Sequence, residues 1–288
     1  MKTKIRRLIS ISLTLVMVFA MVTANSLVAN AETSNSITCT SYDGSNIGKY
    51  DYSYFFANTI KSYLTNVGNG QIMRVQGGIK DEGILVEYYD SSYNVVKRKM
   101  IKTELPVFGA FYASANNYFL ITGQNNPKAD NSVEVYRVTK FDKSWNKLGS
   151  DSLYGANTTI PFDAGSARIA ECGDYIIIRT CHEMYNGHQA NVTIQFCIST
   201  SKITESFTDV LNSAYGYISH SFNQFVQVEN NRLIALDHGD YYPRSVVLQE
   251  FNNNLTTGRF FSTSNNTDVI TFPYYSNYNY TGATLGGF

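Results

Sequence analysis

The residues best suited to chemistry in this sequence are four histidines, all of which lie in its second half. They are His182, His188, His220 and His238, and the nearby charged residues that could act with them are Arg179, Asp240 and Arg244. Imidazole, carboxylate and guanidinium groups that converge can bind a polar ligand, transfer protons or hold a metal ion. The spacing matches no known metal motif. The alternative is that these are loop histidines which only bond to the backbone.

The elements that must position these residues are short β-rich runs separated by turn residues. The stretch from Phe108 to Ser152 shows them most clearly, with four such runs in succession. One of them, Val133–Phe141, alternates apolar and polar residues, as a strand with one solvated face does. A sheet of four antiparallel strands cannot bury both of its faces alone, so it needs neighbouring sheets.

Similar segments recur along the chain and indicate those neighbours. Tyr89–Val96 matches Phe141–Leu148 at an offset of 52, Ala113–Thr122 matches Ala170–Arg179 at 57, and the latter matches Val228–Asp237 at 58. A four-stranded unit that repeats at this spacing is typical of a β-propeller. The sequence therefore predicts an all-β, β-propeller-like fold with about four four-stranded blades. Leu285–Phe288, which resembles Phe108–Phe111, would start a fifth blade of an incomplete ring.

The strands of the last two blades matter most because they carry the histidines. The third blade is predicted to comprise Gly165–Ala170, Tyr175–Cys181, Ala190–Ile198 and Ile203–Asp209. The fourth is predicted to comprise Ser219–Val228, Leu233–Leu236, Ser245–Phe251 and Leu255–Phe261. This assignment places His182, His188 and His238 in loops between second and third strands, and His220 at the start of a first strand. Because strand direction alternates, all four are expected at one end of the propeller, the top face, with Arg179, Asp240 and Arg244.

The N-terminal residues predict export. Four basic residues precede the apolar stretch Leu8–Val22, and Ala29–Ala31 fits a signal-peptidase site, so residues 1–31 read as a signal peptide. An uncleaved anchor is the alternative. Residues 32–57 are predicted to be a linker and residues 58–288 the repeat domain, which is expected to continue in a longer reading frame. The alternative is a closed four-blade ring in which Thr281–Phe288 supplies a closing strand. The predicted location is extracellular or at the cell surface, with no membrane span after cleavage.

The amino-acid composition bears on which class of partner the protein binds. Of the 288 residues, 43% are hydrophobic and 14% aromatic, so a large core can form, and the formal net charge is zero. There is no basic excess that would attract nucleic acid. Tyrosine and asparagine are abundant, which fits either strands and turns or a surface whose aromatic faces and amides bind sugars.

The four cysteines are Cys39, Cys172, Cys181 and Cys197. Export permits disulfides, and a hairpin in the third blade could bring Cys172 near Cys197, so a bridge between them is one expectation. Small buried thiols are the alternative. No pair has the spacing of a zinc finger.

The segments His188–Thr193, His220–Phe225 and Ala235–Ser245 resemble uncharacterised secreted proteins of Gram-positive type that carry propeller-like repeats. The resemblance implies export and further modules downstream, but no activity. The histidines are also similar in kind to those of propeller polysaccharide lyases, which hold a metal at the ring mouth. The expected function is an extracellular binding or adhesion module that recognises a glycan or cell-surface partner on its top face and needs no cofactor, although a metal ion is conceivable. The alternatives are a carbohydrate-active enzyme and a structural spacer.

Overall fold

A computed structural model describes residues 60–79, 83–163, 167–213, 216–218, 222–229, 232–239, 245–251 and 264–271. The chain within these ranges is all-β and contains no helix. No helix that could cross a membrane therefore occurs among them. The predicted signal peptide, the linker and the start of a fifth blade lie outside these ranges.

The first two sheets each contain four antiparallel strands in chain order. The first consists of β1 (Ser62–Gly68), β2 (Gln71–Ile79), β3 (Gly83–Tyr89) and β4 (Val95–Ile101). The second consists of β5 (Val107–Ala113), β6 (Tyr118–Gly123), β7 (Glu134–Phe141) and β8 (Lys147–Tyr154). The sequence predicts the strands of the first blade at Thr59–Leu64, Gln71–Val75, Ile84–Tyr89 and Val95–Ile101, and those of the second blade within Phe108–Ser152. The last two strands of the first sheet agree closely with this prediction, whereas β1 and β2 each end four residues later than predicted.

The third sheet contains one strand more than predicted. It consists of β9 (Thr158–Pro161), β10 (Arg168–Cys172), β11 (Tyr175–Met184), β12 (Gln189–Cys197) and β13 (Lys202–Asp209). The strands β9 and β10 both pair antiparallel with β11 at different positions along it. The connector from the second sheet therefore supplies a strand to the third sheet.

The fourth sheet follows a short hairpin. The hairpin pairs β14 (Leu211–Ser213) with β15 (Gly216–Ile218), and the sheet consists of β16 (Phe222–Glu229), β17 (Arg232–Gly239), β18 (Ser245–Phe251) and β19 (Ser264–Thr271). The predicted last strand, Leu255–Phe261, lies outside the described residues. The strand that pairs with β18 is β19, which begins at Ser264.

Apolar side chains between successive sheets form three cores. Met73 and Val86 of the first sheet pack with Phe111 and Leu120 of the second. A larger core joins the second and third sheets, and a smaller one around Leu233 joins the third and fourth. Each inner sheet is therefore covered on both faces by its neighbours. This stack of four-stranded antiparallel sheets confirms the all-β, propeller-like fold.

Two turns show that the repeat extends to individual hydrogen bonds. In the β3–β4 turn, Asp90 Oδ1 accepts hydrogen bonds from the backbone N–H groups of Ser92 and Asn94. Asp142 Oδ1 makes the same two bonds in the β7–β8 turn, to the residues 52 positions later. Tyr93 and Trp145 both adopt positive φ at the same place in these turns. The predicted offset of 52 is therefore confirmed.

The distance between successive sheets is set by contacts in which a phenylalanine ring packs against the backbone of a glycine. A Cβ added to Gly77 would lie 2.2 Å from the ring of Phe108, and one added to Gly109 would lie 2.2 Å from the ring of Phe162. Gly123 also lies against Phe162, with 2.9 Å to the ring from an added Cβ. Gly77 is therefore a glycine that allows close packing of the first and second sheets.

Candidate functional site

The structure describes the side chains of three of the predicted site residues, Arg179, His182 and His188. His238 is described in its backbone only, and pairs with Phe222 and Val246 within the fourth sheet. His220, Asp240 and Arg244 lie outside the described residues. The predicted meeting of the histidines therefore stays a prediction for those positions.

His182 was expected in a loop but lies inside β11, and its side chain is wholly buried. The loop placement was wrong because β9 pairs with the end of β11, with Pro161 opposite His182, and so extends that strand. Thr158 Oγ1 donates to the carbonyl of Ala156 and lies 2.6 Å from His182 Nδ1. The direction of the hydrogen bond between these two atoms is set by the tautomer of the ring. Burial lowers the pKa of His182 to about 3.

Arg179 is also buried rather than exposed at a mouth. Its Nη2 lies 2.6 Å from Oδ2 of Asp237, and neither side chain is more than 1% exposed. Arg179 belongs to β11 and Asp237 to β17, so the pair joins the third sheet to the fourth. A buried ion pair of this kind contributes to how two sheets fit together.

The expected Cys172–Cys197 disulfide is not formed, and both thiols are free. Cys172 pairs with Tyr175 across one side of β11, and Cys197 pairs with the same residue across the other side. The two cysteines are therefore two strands apart, roughly 10 Å, whereas a disulfide needs Cα atoms within about 7 Å. Cys172 and Cys181 are buried, as is Cys197, whose Sγ lies 3.2 Å from Asp174 Oδ2.

His188 lies in a different setting, because it is exposed in the β11–β12 turn. Its backbone N–H donates to Asn186 Oδ1 at 3.0 Å, and its carbonyl accepts from Met184 at 2.7 Å. The same turn carries Tyr185, whose hydroxyl donates to Asn131 Oδ1 at 3.0 Å. His188 therefore belongs to a group of loop residues that reaches across from the third sheet to the second.

We name this group the loop platform. It consists of Asn131, Asn157, Tyr185 and His188. These residues come from three loops, β6–β7, β8–β9 and β11–β12, which meet at one end of the second and third sheets. Asn157 Oδ1 accepts from the Tyr185 N–H at 3.3 Å. A Cβ added to Gly155 would lie 2.9 Å from Tyr185 Oη, so the three loops are in close contact.

A buried asparagine stabilises the loop platform through hydrogen bonds. Asn126 is 1% exposed, and its Oδ1 and Nδ2 bond to the N–H and carbonyl of Asp130 at 3.0 and 2.9 Å. Its own N–H donates to the carbonyl of Thr159 in β9 at 2.8 Å. The β6–β7 loop is thus tied to itself and to the third sheet, which fixes the platform in one arrangement.

The platform presents aromatic and amide groups to solvent. Tyr185 and Asn157 are partly exposed, and His188 is exposed. Aromatic faces bind apolar surfaces, whereas the amides and the imidazole can donate and accept hydrogen bonds. Among the described residues no group of three or more metal-ligating side chains converges. The sequence reading found His188 but missed the asparagines, because only the fold brings the three loops together.

The comparisons with known proteins identify no family. No family model matches the chain, and no curated protein matches it. Among solved structures, AztD of Citrobacter koseri matches with 14% sequence identity and a TM-score of 0.26, over 76% of this chain and 60% of that one.

Proposed function

We propose that this protein is an exported binding module that recognises a glycan through the loop platform. The observation that carries the proposal is the Tyr185 hydroxyl, which lies 3.0 Å from Asn131 of a loop on the neighbouring sheet. This contact joins loops of two sheets into one surface. Export rests on the N-terminal sequence pattern.

The chemistry of the platform supports a sugar as the ligand. A pyranose has an apolar face that packs on an aromatic ring and hydroxyl groups around its edge. Tyr185, which is partly exposed, offers a ring to solvent, and Asn157 and His188 of the same group offer hydrogen-bonding groups. Loops on a rigid scaffold are where binding residues concentrate.

The enzyme alternative receives less support from the described residues. A histidine that acts as an acid or base must reach the substrate, but His182 is wholly buried and its Nδ1 bonds to Thr158. The spacer alternative does not account for the partly exposed Tyr185 on a surface fixed by loops of two sheets. If no glycan binds, a cell-surface protein is the alternative partner.

The test is a glycan array probed with the exported form of the full chain, followed by titration of each glycan that binds. Tyr185→Ala should weaken binding by about tenfold, because it removes the stacking ring. The matched control is Tyr93→Ala. Tyr93 is 74% exposed but lies in the β3–β4 turn, at the opposite end of a sheet. Both variants should unfold at temperatures close to that of the wild type.

Equal losses in the two variants, or no glycan bound by the wild type, would overturn the proposal. Each bound polysaccharide is also assayed for new reducing ends. Turnover that is lost in His188→Ala would favour the enzyme alternative instead.

A further inference from the structure

The first sheet has one face that no core within the described residues covers. Met73 of β2 belongs to the core shared with the second sheet, so Ile72 and Arg74, which flank it in the strand, lie on the opposite face. Leu64 of β1 pairs with Arg74 and therefore shares that face. We call the surface formed by Leu64, Ile72 and Arg74 the leading face of the first sheet.

Strand register shows that the leading face corresponds to the side of the second sheet that packs on the first. Starting from the offset of 52 and counting along the paired strands, the matched residues are Tyr89 and Phe141, Ile72 and Tyr118, Arg74 and Leu120, and Leu64 and Phe111. All four residues of the second sheet in this set are buried in the core between the two sheets. The leading face is therefore the place where a preceding sheet would pack.

The exposed fractions of matched side chains differ greatly between the two sheets. Phe111 is 4% exposed and Trp145 is 5% exposed, and the Trp145 Nε1 donates to Tyr88 Oη of the first sheet at 3.0 Å. Their counterparts Leu64 and Tyr93 are 70% and 74% exposed. The first sheet thus presents to solvent the apolar side chains that the second sheet buries against its neighbour.

The fourth sheet ends the row with a second apolar face. Leu233 and Ala235 of β17 belong to the core shared with the third sheet, so Ile234 and Leu236 lie on the far side. Leu248 of β18 pairs with Leu236 and shares that side. We call the surface formed by Ile234, Leu236 and Leu248 the trailing face of the fourth sheet. None of the three cores found in the described part of the chain joins it to the leading face.

The two faces carry charges that complement each other. The Arg74 side chain is 33% exposed and bonds to Glu87 on its own sheet. Glu250, which pairs with Ile234 and so lies on the trailing side, is 38% exposed and bonds to Arg232. Contact between Arg74 and Glu250 would join the two ion pairs into a network. The formal net charge of zero adds no general repulsion between copies of the chain.

We propose that two copies of this chain associate head to tail, with the trailing face of each fourth sheet covering the leading face of the other copy's first sheet. Propellers close with about four to eight sheets, and two copies of a four-sheet row reach the upper end of that range. A face of four strands of seven residues measures roughly 19 by 23 Å, so one contact buries about 450 Å² of each copy. A stable interface buries about 800 Å² of each partner, which requires both contacts and therefore a closed pair. Such a ring places both loop platforms at the same end.

The test is sedimentation velocity of the exported form of the full chain over a range of concentrations. A particle with twice the mass of one chain is expected. Leu64→Asp and Ile234→Asp should each raise the dissociation constant at least about a hundredfold, or about tenfold for each of the two contacts, because an unpaired carboxylate then lies in the interface. The matched control is Leu148→Asp, which should remain a dimer. Leu148 is 52% exposed, but it belongs to the second sheet, whose two faces are already covered.

If Ile234→Asp does not fold, hydrogen exchange of the wild type replaces it. Dilution that dissociates the dimer should speed exchange in β1, β2, β17 and β18 and leave β6 and β7 unchanged. A monomer at every concentration, or oligomers that keep growing with concentration, would overturn the closed pair. A dimer weakened by Leu64→Asp but not by Ile234→Asp would overturn the head-to-tail arrangement, because the two leading faces would then meet each other. Unchanged exchange in β17 and β18 would overturn it in the same way.

Discussion

Arg179 and Asp237 bond to each other across the third and fourth sheets, with 2.6 Å between Nη2 and Oδ2 and no appreciable exposure of either side chain. The two residues occupy matched places in the repeat found in the sequence, 58 positions apart. They nevertheless lie on facing surfaces of adjacent sheets. The pair therefore marks a place where two repeats have diverged into complementary charges.

Removing one partner of this pair should destabilise the protein strongly. Asp237→Asn leaves the buried Arg179 without its counter-charge, and breaking a buried ion pair in this way costs about 3–5 kcal/mol. The free energy of unfolding from urea titration measures the effect. Arg179→Met combined with Asp237→Leu should recover much of the loss, because no charge then remains buried. A double variant no more stable than the single one would contradict this explanation.

His182 should make the protein less stable in acid. Its pKa is about 3 in the folded protein, below the 6.5 of an exposed histidine, so the unfolded chain binds a proton first as the pH falls. The stability from burying the neutral ring is complete above about pH 6.5 and is lost progressively toward pH 3. Urea titrations at several pH values should show a shallower decline for His182→Gln than for the wild type. His188→Gln is the control, and an equally shallow decline there would refute the assignment to His182.

Gly77→Ala should loosen the contact between the first and second sheets. The new methyl group would lie 2.2 Å from the Phe108 ring, so one of the two must move, at a cost of about 1–3 kcal/mol. The same substitution in a Phe108→Leu background should cost less, because the ring is gone. A thermodynamic cycle of the four proteins measures the coupling. Zero coupling would show that Phe108 does not limit the space at Gly77.

Asn126→Ala should release the loop platform without unfolding the sheets. It removes the side-chain bonds to Asp130 that hold the β6–β7 loop. Hydrogen exchange followed by mass spectrometry should show faster exchange in that loop and in the β11–β12 turn, with β2 and β3 unchanged. Asn146→Ala is the control, since Asn146 is exposed and its side chain bonds to Asp142 within the β7–β8 turn, at the other end of the sheet. Faster exchange throughout the protein would indicate general destabilisation instead.

The sequence predicted the strands of the first two sheets well, because turn residues bound each run there. The register of the strands was harder to predict than their positions along the chain. Tyr118 and Leu120 pack toward the first sheet, whereas Ile177, which the offset of 57 matches to Leu120, packs toward the fourth. Ala113 pairs with Tyr118 across four turn residues, whereas Cys172 pairs with Tyr175 across two. A sequence match without gaps therefore cannot align the strands both before and after this turn. A slip of one residue exchanges the two faces of a strand.

The candidate site was harder still to predict. The sequence predicted a loop at His182. The strand that extends β11 there is short and lies in a connector, Thr158–Pro161. The asparagines of the loop platform are abundant residues, and only their meeting in the fold distinguishes them.

The strand Thr158–Pro161 comes from the connector after the second sheet but pairs within the third. The loops of the loop platform, which lie next to this strand, consequently belong to two repeats. Duplication or deletion of a single repeat, the usual way in which such proteins gain or lose length, would copy or remove only part of the surface around Tyr185. That surface is therefore inherited with the pair of repeats, and proteins that keep one without the other should lack it.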